Sequence, residues 1–157
     1  MVGAPAASLF DHLSDLRTHW ELAGGRVRLL DPDAGAERGG RVRMRGPLGL
    51  GREATTEVLR AERPTLLEGR ARVGRATEAL ISWRLDPIAA ARTRVELSAR
   101  VVAADRWDRA LLAAGGRFWL ERLFRCVIGR LQTLGPSLGE SAVDVRAGAA
   151  VALEGAG

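Results

Sequence analysis

Arg26-Val27-Arg28-Leu29, Arg41-Val42-Arg43-Met44-Arg45, Arg70-Ala71-Arg72-Val73 and Arg92-Thr93-Arg94-Val95 all alternate arginine with uncharged residues at a period of two. Successive side chains of a strand point to opposite faces. Each stretch therefore predicts a strand with one wet, cationic face and one apolar face. Working outward from these four stretches, strands are expected over 26–30, 40–45, 52–59, 66–73, 76–85 and 93–102. The connections carry turn chemistry: Asp31-Pro32-Asp33-Ala34-Gly35, Gly46-Pro47-Leu48-Gly49, Glu62-Arg63-Pro64, Gly74 and Asp86-Pro87. Connections this short join antiparallel neighbours, so the strands form a meander.

Helical spacing brackets the strands. Pro5 suits a first helical turn, and Leu9, Phe10 and Leu13 share one face behind it. Ser14-Asp15 offers a cap for a second short helix over about 16–22, closed by Gly24-Gly25, with Trp20 as core. From Asp105, a reasonable N-cap, the period changes. Leu112, Gly116, Trp119, Leu120, Leu123, Val127, Leu131 and Leu134 fall three or four apart, predicting a long helix that ends at Gly135-Pro136. Gly115-Gly116 costs about 1 kcal/mol per glycine relative to alanine inside a helix, so it is read as a bend or a close approach at the mouth of a cavity. Residues 1–136 are expected to form one domain. The Gly- and Ala-rich 137–157 are read as a disordered tail, apart from a strand-like alternation over 142–146.

Composition narrows the function classes. All 24 basic residues are arginine; lysine, asparagine and tyrosine are absent. That removes a Schiff-base lysine and a tyrosine acid from the catalytic repertoire. The net charge of +5 is spread along the chain and interleaved with Glu53, Glu57, Glu68, Glu78 and Glu96. This pattern predicts a solvated sheet face with cross-strand ion pairs rather than the concentrated stripe of a specific nucleic-acid reader. Weak contact with an anionic membrane is compatible with it. No apolar run reaches the length of a spanning helix, the first residues lack a secretory pattern, and the single Cys126 allows no internal disulfide. The expected compartment is the cytoplasm.

Parity assigns an inward set: Val27 and Leu29; Val42 and Met44; Thr56 and Val58; Leu67, Gly69, Ala71 and Val73; Thr77, Ala79, Ile81, Trp83 and Leu85; Thr93, Val95, Leu97 and Ala99. The opposite set is mostly arginine and glutamate, except in 52–59, where parity is ambiguous. A curved sheet with this many small inward residues leaves space under the helix stripe of Trp119, Leu123 and Val127. The residues expected to line it are Met44, Thr56, Val58, Ala71, Val73, Thr77, Ile81, Trp83, Val95, Leu97, Trp119 and Leu123. Thr56, Thr77 and Thr93 would supply hydroxyls for a polar end, and Trp83 is the leading contact. Leu48 and Leu50 sit in a glycine-rich hairpin tip, read as a lid or membrane contact. No catalytic residue and no metal ligand is assigned. His12 and His19 read as solvated helix residues, and Cys126 as buried and inert.

The arrangement resembles the helix-grip fold of the START-like, or SRPBCC, superfamily, within it the polyketide cyclase/dehydrase and lipid transport branch. The matching residues are Ala4-Pro5-Ala6-Ala7 leading into Leu9-Phe10-Asp11-His12-Leu13-Ser14-Asp15, Gly39-Gly40, Pro64 before Leu66-Leu67, Trp83-Arg84-Leu85-Asp86-Pro87 and Thr93-Arg94-Val95. The resemblance implies an α+β fold: a curved antiparallel sheet of about six strands around a long C-terminal helix, with two short helices near the N-terminus. It also implies a cavity for a small hydrophobic molecule such as a lipid, isoprenoid, quinone or polyketide, with no cofactor. The main expectation is a binding protein without catalysis. A polyketide cyclase/aromatase-like enzyme that orients a bound chain, and an interaction protein with a vestigial pocket, are the alternatives. Members usually place an extra strand before the Ala-Pro-Ala segment, beside the last strand of the meander. Here the edge is expected to be explained by a misassigned start, by a homodimer through that edge, or by 142–146 folding back.

Overall fold

In the computed structural model, which describes residues 1–31, 39–45, 49, 51–74 and 76–153, the arginine alternation resolves into a single sheet. Its strands are β1 (Val27–Leu29), β2 (Gly39–Arg45), β3 (Gly51–Glu62), β4 (Leu66–Val73), β5 (Thr77–Ala89) and β6 (Arg92–Ala103). They lie in the order β1-β2-β3-β4-β5-β6, each antiparallel to the next. The loops bearing Pro32 to Gly35, and Leu48 and Leu50, fall outside the described residues.

The outer face holds the expected ion pairs. Glu53 accepts from Arg41 at 3.0 Å and Arg43 at 2.7 Å, and Glu78 lies 3.2 Å from Arg70 and 3.5 Å from Arg72. Exposed pairs of this kind add little stability; they keep the sheet's wet face wet. Gly39 must be glycine. Its φ is 143°, and a Cβ there would sit 1.9 Å from the Thr56 carbonyl oxygen.

Asp86-Pro87 is not a turn. β5 runs on to Ala89, and the chain reverses at Ala90-Ala91. Leu85 donates its N–H to the Thr65 carbonyl, and the β4–β5 ladder ends at Leu66–Arg84. The nitrogen of Pro87 therefore points past the end of β4, where no hydrogen bond is lost. A bulge follows between Pro87 and Ala89.

The helices close one face. α1 (Ala6–Ser14) buries Leu9, Phe10 and Leu13. α2 (Leu16–His19) is capped by Asp15, whose side chain accepts from the Arg17 N–H at 2.9 Å, and continues as a 3₁₀ turn, Trp20–Ala23. α3 (Arg106–Leu111) is capped by Asp105, whose Oδ1 accepts from the Asp108 N–H at 2.7 Å. A π-helical kink, Leu112–Gly116, joins it to α4 (Arg117–Leu153). Gly115 takes φ 118° there, so the expected bend is present.

Two readings of the C-terminal region fail. The backbone over 142–146 is helical, not extended, and α4 passes Gly135-Pro136 without ending. Pro136 forfeits one helical hydrogen bond, but contacts with the N-terminal segment hold the helix beyond it. A Cβ on Gly135 would lie 2.9 Å from Val2, Gln132 Nε2 donates to the Met1 carbonyl at 3.1 Å, and Leu138 packs on the core. Val2 in turn bridges Thr93 of β6, with N–H···O distances of 2.8 and 3.0 Å. Val2 thus pairs with the edge of β6 through a single bridge.

The core joins α1, the 3₁₀ turn, β5 and α4 through Leu9, Leu13, Leu22, Leu85 and Leu131, each at most 2% exposed.

Candidate functional site

Between the concave face of the sheet and α3–α4 lies a cavity of about 270 Å³. Its sheet wall is built by parity. Met44, Thr56, Ala71, Val73, Thr77, Ile81, Trp83 and Leu97 all line it, as the alternation predicts, and Trp119 and Leu123 of α4 roof it. Two expected residues do not reach it. Val58 lines a separate, smaller space of about 60 Å³ near Gly69, and Val95 packs against the core.

The hydroxyls expected to face a ligand are committed elsewhere. Thr56 Oγ1 donates to the Gly40 carbonyl at 3.1 Å and lies 3.3 Å from the Gly40 N–H. Thr93 is fully buried, and its Oγ1 donates to the Ala4 carbonyl at 2.8 Å. Thr77 donates to Asp108.

Asp108 belongs to a polar group that the alternation gave no reason to place inside. It projects from the first turn of α3 into the cavity wall, where its side chain is 5% exposed. One carboxylate oxygen accepts from Arg52 Nη1 and the other from the Thr77 hydroxyl. The Arg52 guanidinium holds the Asp108 carboxyl below the usual carboxylate range, against the opposing effect of burial, and the Thr77 hydrogen bond adds to the lowering. Arg52 sits on the apolar parity of β3 beside Ala54 and Thr56, the strand whose parity was ambiguous. An inward arginine is tolerable because a carboxylate meets it.

His19 is the other correction. It lines the cavity instead of facing solvent. Its Nδ1 lies 2.9 Å from the Leu13 carbonyl oxygen, so Nδ1 carries the proton and Nε2 the lone pair. Burial pushes its pKa below the ordinary histidine value; the Leu13 bond opposes this and His12 reinforces it. The ring is therefore a neutral imidazole at pH 7, packed edge-on against Trp20 at 4.9 Å and Trp83 at 5.6 Å between centroids. Trp20 Nε1 is buried and, among the described residues, lacks a hydrogen-bond partner. Cys126 is half-buried and not isolated: Arg26 Nη1 approaches its sulfur at 3.6 Å.

This arrangement can hold an apolar molecule and present it with Arg52 N–H groups at one place and an imidazole at another. Among the described residues, no cluster of His, Cys, Asp and Glu could hold a metal ion, and no helix is long and apolar enough to cross a membrane.

A family model described as polyketide cyclase/dehydrase and lipid transport matches residues 1–135. Solved structures share the fold. A Rhodobacter sphaeroides protein is 21% identical, with a TM-score of 0.60 over 88% of this chain and 89% of its own. A Mycobacterium smegmatis protein is 16% identical, with a TM-score of 0.61 over 85% of each chain. DynU16, described as a putative protein in the dynemicin biosynthetic locus, is 24% identical, with a TM-score of 0.50 over 85% of this chain and 44% of its own. No curated protein matches the sequence.

Proposed function

The chain belongs to the polyketide cyclase/dehydrase and lipid transport family, and from that premise we propose that it binds a small hydrophobic molecule in the cavity between the sheet and its C-terminal helices. The observation that carries this reading is the cavity wall. Apolar side chains from β2 to β6 and α4 surround about 270 Å³, and Arg52, Asp108 and Thr77 reach it as one hydrogen-bonded cluster. Arg52 keeps N–H groups beyond the one given to Asp108, and Asp108 offsets its charge. Such a pair favours a neutral oxygen acceptor, a carbonyl or quinone oxygen, over a carboxylate. A lipid, isoprenoid, quinone or polyketide bearing such an oxygen fits the description.

Native mass spectrometry of gently purified protein, followed by solvent extraction, tests it. The expected result is a near-stoichiometric apolar adduct, or uptake of one from a panel of a fatty acid, a prenol, a naphthoquinone and a polyphenol. The cavity-filling Ala79→Phe variant should lose that uptake. A clean apo mass with no uptake of any panel member overturns the reading.

The neutral His19 favours a second reading, a cyclase-like enzyme in which the imidazole accepts a proton from a chain held folded in the cavity. A change in product distribution when the purified protein is given a reactive poly-β-carbonyl chain, lost in His19→Leu, would separate enzyme from carrier.

A further inference from the structure

The polar places in the cavity wall lie at opposite ends of one strand. Thr77 and Trp83 share a parity on β5, and both line the cavity. Six residues of strand at about 3.3 Å each set their Cα atoms about 20 Å apart. The cluster that Thr77 joins, Arg52 with Asp108, stands at the mouth. His19 packs on Trp83, with 5.6 Å between ring centroids, and so stands at the far end. The register agrees: Arg52 lies on β3 beyond the row Ala54–Val73–Thr77, whereas Trp83 shares a row with Leu67 and Leu97. Between the two ends the wall is apolar, with Ala71, Ala79, Ile81 and Leu97 from the sheet and Trp119 and Leu123 from α4.

The two ends ask for different groups. At the far end the His19 ring has already committed its proton: Nδ1 donates to the Leu13 carbonyl at 2.9 Å, and Nε2 has no hydrogen-bond partner among the described residues. That lone pair accepts and cannot donate. The neighbouring Trp20, 4.9 Å away between ring centroids, carries a buried Nε1–H that is also unpartnered among the described residues. One acceptor and one donor left over on adjoining rings match a hydroxyl, which donates and accepts at a single oxygen. A carbonyl has no hydrogen to give His19. At the mouth the demand is reversed. Arg52 offers only N–H donors, and Asp108 offsets its charge, so a neutral carbonyl oxygen suits it.

Resting on the reading of this cavity as a ligand site, we propose that it takes an elongated apolar molecule in one orientation, with a hydroxyl at His19 and a carbonyl at Arg52. His19 and Arg52 then determine specificity, and the apolar wall between them supplies affinity. A hydrocarbon satisfies neither end and a simple quinone satisfies only the mouth. A hydroxylated aryl ketone satisfies both, because each end receives the one hydrogen-bonding role it lacks.

Fluorescence titration of the full chain with matched probes tests this. The parent probes are a naphthalene and a biphenyl, each with a phenolic hydroxyl at one end and an acetyl group at the other. Each is compared with its methyl ether, which cannot donate, and with the ethyl compound that lacks the carbonyl. In the wild type at least one parent should bind about tenfold more tightly than both of its analogues. His19→Leu should bring that parent and its methyl ether together while keeping the preference over the ethyl compound. Arg52→Met, made together with Asp108→Leu so that no buried carboxylate is left unpaired, should do the opposite. A general loosening of the fold lowers all the affinities alike and does not produce this crossing. A wild type that binds parent and methyl ether equally overturns the inference and leaves the cavity reading standing, and needs no variant to show it. Preferences that fall together in either variant overturn it too. Binding of none of the probes also overturns it, and the uptake panel then decides whether the cavity takes a ligand at all.

Discussion

The core and the mouth of the cavity are built differently. At the base of the fold, outside the cavity lining, Leu9, Leu13, Leu22, Leu85 and Leu131 from four elements interlock with at most 2% exposure. At the mouth, Ala99 and Val101 are exposed, the helix kinks at Gly115, and Trp107 and Phe118 stand 79% and 62% exposed on either side of that kink. The base carries the packing that holds the fold. The mouth is tied down mainly by one polar cluster, Arg52–Asp108–Thr77. A binding protein needs this asymmetry, because the part that admits a ligand must open without the core coming apart.

The comparison breaks most sharply under truncation. Leu131→Ala should cost about 2–5 kcal/mol, from lost transfer energy plus a cavity that the interlocked leucines cannot collapse. Trp107→Ala at the mouth should change stability by no more than about 0.5 kcal/mol, since it removes a solvated side chain. Urea denaturation of both variants checks this, and similar losses would mean that the two regions are not energetically distinct.

The cluster at the mouth should show itself through pH. The Asp108 carboxyl is held below its ordinary value in the folded chain, so the unfolded chain binds its proton first as pH falls. Its contribution is fully present above the unfolded carboxylate value and is lost as pH falls through the folded one. Asp108→Asn should therefore lower stability at pH 7 by about 1–3 kcal/mol, from an arginine left facing apolar side chains, while the gap to wild type narrows in acid. Glu53 is lowered in the same direction by Arg43 and Arg41, so a residual acid dependence should persist in the variant. Urea unfolding at neutral and acid pH is the measurement; a gap that does not narrow would place the stabilisation elsewhere.

What could be read from the sequence follows the same divide. Strand order and most of the cavity wall were legible because the wall is set by parity, a local property that arginine on one face and small apolar residues on the other make visible. Met44, Ala71, Thr77, Ile81 and Trp83 fall where alternation puts them. The polar cluster was not legible. Arg52 points inward only because Asp108 arrives from a helix far along the chain, and nothing near Arg52 records that. Pro87 looked like a turn because the end of β4, which removes the need for its missing N–H, is a tertiary fact. Pro136 looked like a helix stop because the contacts that carry α4 past it come from Met1, Val2 and Gly3. His19 escapes a sequence reading for a related reason: its helix is short, and Trp83, which packs against the ring, comes from β5.

The smallest effects test whether the kink itself belongs to the mouth. Gly115 and Gly129 both lie in the C-terminal helical run, and a Cβ at either would meet open space. They differ in backbone. Gly115 sits at φ 118°, in the region that favours glycine, whereas Gly129 lies within α4. Gly129→Ala should stabilise by about 0.5–1 kcal/mol through the lost freedom of the unfolded chain. Gly115→Ala should destabilise by about 1–2 kcal/mol, and because the strain falls beside the mouth it should also alter ligand uptake, which Gly129→Ala leaves unchanged. Thermal melts paired with the uptake panel separate the two cases. If alanine at 115 stabilises as it does at 129, the helix straightens without cost, and the bend is not what keeps the mouth open.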